Sequence, residues 1–162
     1  MKIALGSDHR GTEAIRAITD TLVSEGHTAE AMGVCHTRSC DYPDMAYPVA
    51  HAVATGHADM GILVCGSGIG MSIAANKVKG IRAALVHDEV GAEVSRRHND
   101  ANVLCIPADM LGVRVIERIV SAWLRTEFEG GRHDRRVQKI QAIEQGLDPS
   151  TVKAESAAAV NE

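Results

Sequence analysis

Aromatic side chains are nearly absent from this chain: one Trp, two Tyr and one Phe, 2% of 162 residues, against a hydrophobic share of 45%. A core of Ala, Val, Ile, Leu and Met suits helices layered on a sheet and argues against an aromatic-rich β-sandwich. The body of the chain carries no strongly basic block and the formal charge is -4, so non-specific binding of nucleic acid has little electrostatic support. No apolar run is long enough to span a bilayer, so no membrane partner is expected. A strand opens directly at the N-terminus, so no signal peptide is expected and the compartment is read as the cytoplasm. Cysteines number four, and Cys35 and Cys40 lack the second close pair that a zinc site would want. In a reducing compartment these two are expected as free loop thiols, and Cys105 as a small core residue.

What is present is a regular alternation. Apolar runs at 2–7, 27–32, 60–65, 82–87 and 102–106 read as strands. Amphipathic or alanine-rich stretches at 12–25, 43–55, 69–78, 88–97, 109–127 and 132–145 read as helices, several closed by Gly. Strand and helix in strict turn predict an α/β fold: a Rossmann-like, doubly wound, five-stranded parallel sheet with helices on both faces. Residues 1–146 are expected to form one domain, and 147–162, small, polar and alanine-rich, a disordered tail.

Ligands of such sheets sit at the carboxyl ends of the strands. The third strand ends there in Cys65-Gly-Ser-Gly-Ile-Gly70. Three alternating glycines before a helix make a loop whose N–H groups face an anion. The spacing is neither the dinucleotide fingerprint nor a P-loop. A thiol at its mouth is not needed for holding phosphate. It suits a base that removes a proton and leaves an oxyanion for the loop to stabilise, with Ser67 beside it. The alternative is a structural glycine turn.

Other constellations are less specific. Asp8-His9 follows the first strand, either as a helix cap with a surface imidazole or as a pair contacting a polar, anionic ligand. His98-Asn99 closes a helix and suits sugar hydroxyls. Arg132 and Arg136, four apart at a helix start where they oppose the dipole, suit a phosphate. Tyr42, in Asp41-Tyr-Pro43, either lines a sugar pocket or anchors its loop.

Together these residues resemble the type B ribose-5-phosphate isomerases, the family that includes the galactose-6-phosphate isomerase subunits. The likeness covers residues 1 to about 145. It rests on Gly6-Ser-Asp-His9, Asp41-Tyr-Pro43, Cys65-Gly-Ser-Gly-Ile-Gly70, Ala74-Ala-Asn-Lys77, Gly80-Ile-Arg82, Arg97-His-Asn-Asp100 and Gly130-Gly-Arg-His133. The resemblance implies aldose–ketose isomerisation of a sugar phosphate through an enediolate, with no cofactor and no metal. It implies a homodimer, or a tetramer built from it, whose sites are shared and reached by the partner's last helix. The catalytic cysteine falls on Cys65, because the place where some members carry a glutamate is Met71 here. Ring opening falls on His98, and phosphate contacts fall on His9, Arg132 and Arg136. Ser67 joins the catalytic set, and Asp8, Tyr42, Gly66, Gly68, Ile69, Gly70 and Asn99 the substrate-binding set. One departure stands out: where many relatives carry an arginine after the fifth strand, this chain has Pro107-Ala-Asp109. The competing readings are an isomerase of erythrulose, allose or galactose phosphate, and a non-catalytic sugar-phosphate-binding domain.

Overall fold

The computed structural model describes residues 1–35 and 38–153. Its strands are β1 Lys2–Ser7, β2 Thr28–Val34, β3 Met60–Cys65, β4 Ala83–Leu85 and β5 Val103–Pro107, all parallel, in the order β2-β1-β3-β5-β4. The helices between and after them are α1 Thr12–Ser24, α2 Tyr42–Ala54, α3 Ile69–Ala75, α4 Glu89–Asn99, α5 Val113–Arg125 and α6 Arg132–Glu144. This is the doubly wound α/β sheet expected from the alternation.

The three central strands are apolar apart from Lys2 and Ser7 at the two ends of β1, because both of their faces are covered. Side chains of period two divide between two cores. Ile3, Leu5, Ile62, Val64, Leu104 and Ile106 pack with α1 and α5, around the fully buried Trp123. Ala4, Leu63, Cys65, Val103 and Cys105 pack with α2 and α3, through Val49, Ala50, Met71 and Ala75. Cys65 thus ends its strand on the α2–α3 side, 4% exposed, and Cys105 lies wholly inside that core.

Several boundaries differ from the expected ones, each for a tertiary reason. Helix α5 begins at Val113 rather than at 109, because the intervening turn is tied to the glycine loop: Ala108 N–H donates to Cys65 O (2.9 Å) and Asp109 N–H to Gly66 O (3.0 Å). Helix α3 stops at Ala75 rather than 78. Asn76 turns the chain there, its side chain bonding Ser72 O and both backbone groups of Ala83, each at 2.9 Å. Strand β4 keeps only three residues.

Cys35 and Cys40 are not free thiols: they form a disulfide, with Cα atoms 6.0 Å apart. The segment after β2 stays against β1, where Cys35 N–H donates to Ser7 O (2.9 Å), and this holds Cys35 at the sheet while Cys40 returns toward it. The tail also departs from expectation at its start. Asp148 caps a 3-10 turn, Pro149–Thr151, that rests on α6. The rest of the expected tail, 154–162, lies outside the described residues.

Candidate active site

Because the sheet is parallel, β1, β3 and β5 all end at one edge, and the chain leaves β1 and β3 toward opposite sides of it. This is the switch point at which ligands of open α/β sheets bind. Gly68, at the head of α3, has φ of +70°, and a Cβ there would lie 2.4 Å from Leu85 Cδ1 and 3.2 Å from the backbone of Ile106. Only glycine fits both constraints, and the conformation turns the Gly68 N–H onto Cys65 Sγ at 3.2 Å. This contact fixes the sulfur at the mouth of the loop. The other buried thiol, Cys105, is pushed well up by burial and by its neighbour Cys65. The two free cysteines of the described residues are therefore unlike: one at the loop mouth with a donor, the other sealed in the core.

The expected companions gather at the same edge. Asp8 is 7% exposed, and its Oδ1 accepts from Arg10 N–H at 2.9 Å. His9 is exposed and its Nδ1 receives a long hydrogen bond, 3.5 Å, from Cys40 N–H. Ser67 Oγ accepts from Ile69 N–H at 3.4 Å, closing the turn that starts α3. Tyr42, the first residue of α2, lays its ring against Gly70, so close that a Cβ there would meet it at 2.6 Å. It both anchors the helix start and walls the loop. Asp109, from the turn after β5, leans over Gly66 and binds Arg10.

His98, Asn99, Arg132 and Arg136 form a second group. Helix α4 leaves the carboxyl edge and must return to the amino end of β5, so its last residues lie at the opposite edge. The hydrogen bonds agree: Asn102 O accepts from Gly61 N–H (3.0 Å), at the start of β3. His98 stacks flat on His133, with ring centres 4.1 Å apart and planes 4° from parallel. Glu129 approaches both, at 3.7 Å from His98 Nε2 and 3.5 Å from His133 Nε2, and is itself held by Arg97. Arg132 and Arg136 flank the buried His133 at 3.3 and 3.4 Å. Burial first, then His98 and the two arginines, hold His133 below its ordinary imidazole value. Arg97 above all holds Glu129 below the usual carboxylate range. His98, Glu129 and His133 place three ligand atoms within 4.8 Å of one another, a spacing that could hold a metal ion. The surrounding guanidinium groups already engage Glu129 and His133, so the cluster reads as a hydrogen-bonded network.

The two groups do not meet within one chain. A six-residue strand such as β3 lies between the edges, which at about 3.3 Å per residue sets them on the order of 16 Å apart. The neighbours of His98 within its own chain are Glu129 and His133. Glu129 and His133 were not among the expected site residues, although their i, i+4 spacing into a Gly-Gly break was a readable signal.

The family model described as Ribose/Galactose Isomerase matches residues 3–140. The chain is 46% identical over 144 residues to ribose-5-phosphate isomerase B of Escherichia coli, covering 89% of this chain and 97% of that one. It is 43% identical over 141 residues to D-erythrulose-4-phosphate isomerase of Pectobacterium atrosepticum, covering 86% and 93%. Among solved structures it superposes on ribose-5-phosphate isomerase B of Clostridium thermocellum with a TM-score of 0.88 and 47% identity, over 90% of this chain and 99% of that one.

Proposed function

The chain belongs to the ribose/galactose isomerase family, and from that premise we propose that it interconverts ribose 5-phosphate and ribulose 5-phosphate with Cys65 as the base. The observation that carries this reading is the Gly68 N–H on Cys65 Sγ, 3.2 Å away, at the switch point of the sheet. Cys65 takes the proton from C2 of the open-chain aldose. The electron pair moves through C1–C2 to the carbonyl, and the enediolate oxygen faces the N–H groups of the Gly66–Gly70 loop. A proton passes from O2 to O1, and Cys65 returns its proton to C1. One base serves both carbons because they are neighbours. Asp8, Tyr42 and Asn99 position the sugar, His9 contacts the phosphate, and His98 opens the ring.

The separation of the two groups supports a site completed by a second copy of the chain. Ile69 and Ile73, on the outward side of α3, are 51% and 57% exposed beside the glycine loop. A second copy covering that face would bring its own His98, Asn99, Arg132 and Arg136 to Cys65. The two guanidinium groups then hold the phosphate, which fixes C1 and C2 against the thiol. A shorter substrate, D-erythrulose 4-phosphate, is the second reading, favoured by the 43% identity to an isomerase of that compound.

The test is NMR of ribose 5-phosphate in D₂O. Turnover should appear as ribulose 5-phosphate with solvent exchange at the transferred hydrogen. Cys65→Ala should lower the rate by at least about a hundredfold. Near-normal turnover in that variant would remove the assignment, and faster turnover of the four-carbon substrate would favour the second reading.

A further inference from the structure

Arg10 and Asp109 form a contact that the isomerase mechanism does not use. They follow β1 and β5, the strands on either side of β3, and so bracket the cysteine strand at the site edge. Arg10 Nε lies 3.1 and 3.0 Å from the two carboxylate oxygens of Asp109, and its Nη2 lies 2.7 Å from Oδ2. The fork crosses directly over the glycine loop: a Cβ on Gly66 would meet Asp109 Oδ2 at 2.6 Å and Arg10 Cγ at 3.7 Å. Both ends of each partner are fixed. Asp8 Oδ1 accepts the Arg10 backbone N–H at 2.9 Å, and the Asp109 N–H donates to Gly66 O at 3.0 Å.

Stability is a poor reason for such a pair. The side chains are 55% and 43% exposed, and exposed ion pairs contribute about 0–1 kcal/mol. Orientation is a better one. A long, flexible arginine has been reduced to one position beside His9, at the mouth of the loop that holds the reacting cysteine. Asp109 occupies Nε and Nη2; Nη1 has no hydrogen-bond partner among the described residues and remains to donate.

We propose that Arg10 is a ligand of the substrate's phosphate, and that Asp109 is a positioning residue that holds its guanidinium over the glycine loop. The chemistry is that of an oxyanion met by a pre-ordered guanidinium, in which less freedom is lost on binding. The carboxylate cancels part of the positive charge, so recognition relies on a directed hydrogen bond more than on net attraction.

The proposal rests on the isomerase reading, and the experiment separates the two. Turnover by the unaltered protein tests that reading alone. The inference is tested by inorganic phosphate as competitive inhibitor and by ³¹P line broadening, which needs no turnover. Arg10→Ala leaves Asp109 unpaired, and its bare carboxylate would repel phosphate by itself. The deciding variant is therefore Arg10→Ala with Asp109→Asn. It should bind inorganic phosphate about 5- to 20-fold more weakly, the lower range for a charge-assisted hydrogen bond at an exposed site. KM for ribose 5-phosphate should rise in step and kcat should stay within about twofold, a split that loosening of the fold would not produce. Recovery of unaltered phosphate affinity and KM in the double variant would overturn the proposal, since repulsion by Asp109 would then be the whole effect of losing Arg10. Asp109→Asn alone should raise KM by a smaller factor; no change would overturn the positioning role.

Discussion

Gly68→Ala puts the loop's geometry under direct test. At φ of +70° an alanine carries left-handed strain, worth about 1–3 kcal/mol. Its Cβ would also sit 2.4 Å from Leu85 Cδ1, with the backbone of Ile106 and Pro107 at 3.2 and 3.3 Å. The leucine can swing away, but the strand backbone behind it cannot, and forced overpacking of this kind costs about 1–3 kcal/mol. A sum of about 2–6 kcal/mol leaves a domain of mid-range stability folded and lowers Tm by roughly 4–24 °C for a chain of this size. The loop relaxes by moving Gly68 away from β4 and β5, which lengthens the 3.2 Å contact from its N–H to Cys65 Sγ. Hydrogen bonds to a charged group are worth about 1.5–3 kcal/mol, so thiolate-dependent turnover should fall roughly 10- to 100-fold. Gly80→Ala is the control. Its φ is +85°, with nothing within 4 Å of a built Cβ, so it should lose a few degrees of Tm from strain and keep its turnover. Thermal unfolding and steady-state isomerisation on both variants decide the matter. Equal turnover in the two, or an unchanged Tm for Gly68→Ala, would refute the argument that this backbone conformation serves the cysteine.

Arg136→Ala should weaken binding of sugar phosphates about tenfold or more while hardly affecting unphosphorylated sugars; equal losses in a competition assay would make Arg136 structural. His133 titrates below its ordinary value in the fold because burial, His98 and two arginines oppose its charge. The associated stability is present above the unfolded value of about 6.5 and is lost as pH falls through the lower folded value. Urea midpoints should therefore decline on the acid side of about pH 6.5, and His133→Gln should flatten that slope. Cys65→Ala mixed with His98→Asn, each inactive alone, should regain activity after verified subunit exchange; no recovery would mean that the site is built within one chain.

Much of the fold was legible because a parallel strand covered on both faces is simply an apolar run, and β1 and β3 end where such runs end. The start of α5 was not legible. Ala108 to Leu111 has helical composition, and hydrogen bonds to a loop some forty residues earlier help to hold it as a turn. The disulfide was misread from compartment reasoning, which says nothing about two cysteines that β1 brings together. At the site, Cys65 and its glycines were visible because strand, loop and helix are consecutive in sequence. His98 was assigned chemistry without its place. Yet the order of β4, α4 and β5 already sends it to the far edge, away from Asp8. The Arg10–Asp109 contact joins residues ninety-nine apart, and no local pattern announces it.

The placement of Cys65 and His98 on opposite edges of the sheet has a genetic consequence if the site is shared between two copies. A chain lacking only Cys65 still lends its His98 to an intact partner, so total activity falls in proportion to the defective fraction. A chain lacking both residues spoils each site it enters. Equal amounts of intact and doubly defective chain would leave about a quarter of the sites complete under random pairing of a two-fold dimer. The single lesion would then behave as recessive and the double lesion as dominant, although the double variant removes no function that two single lesions do not.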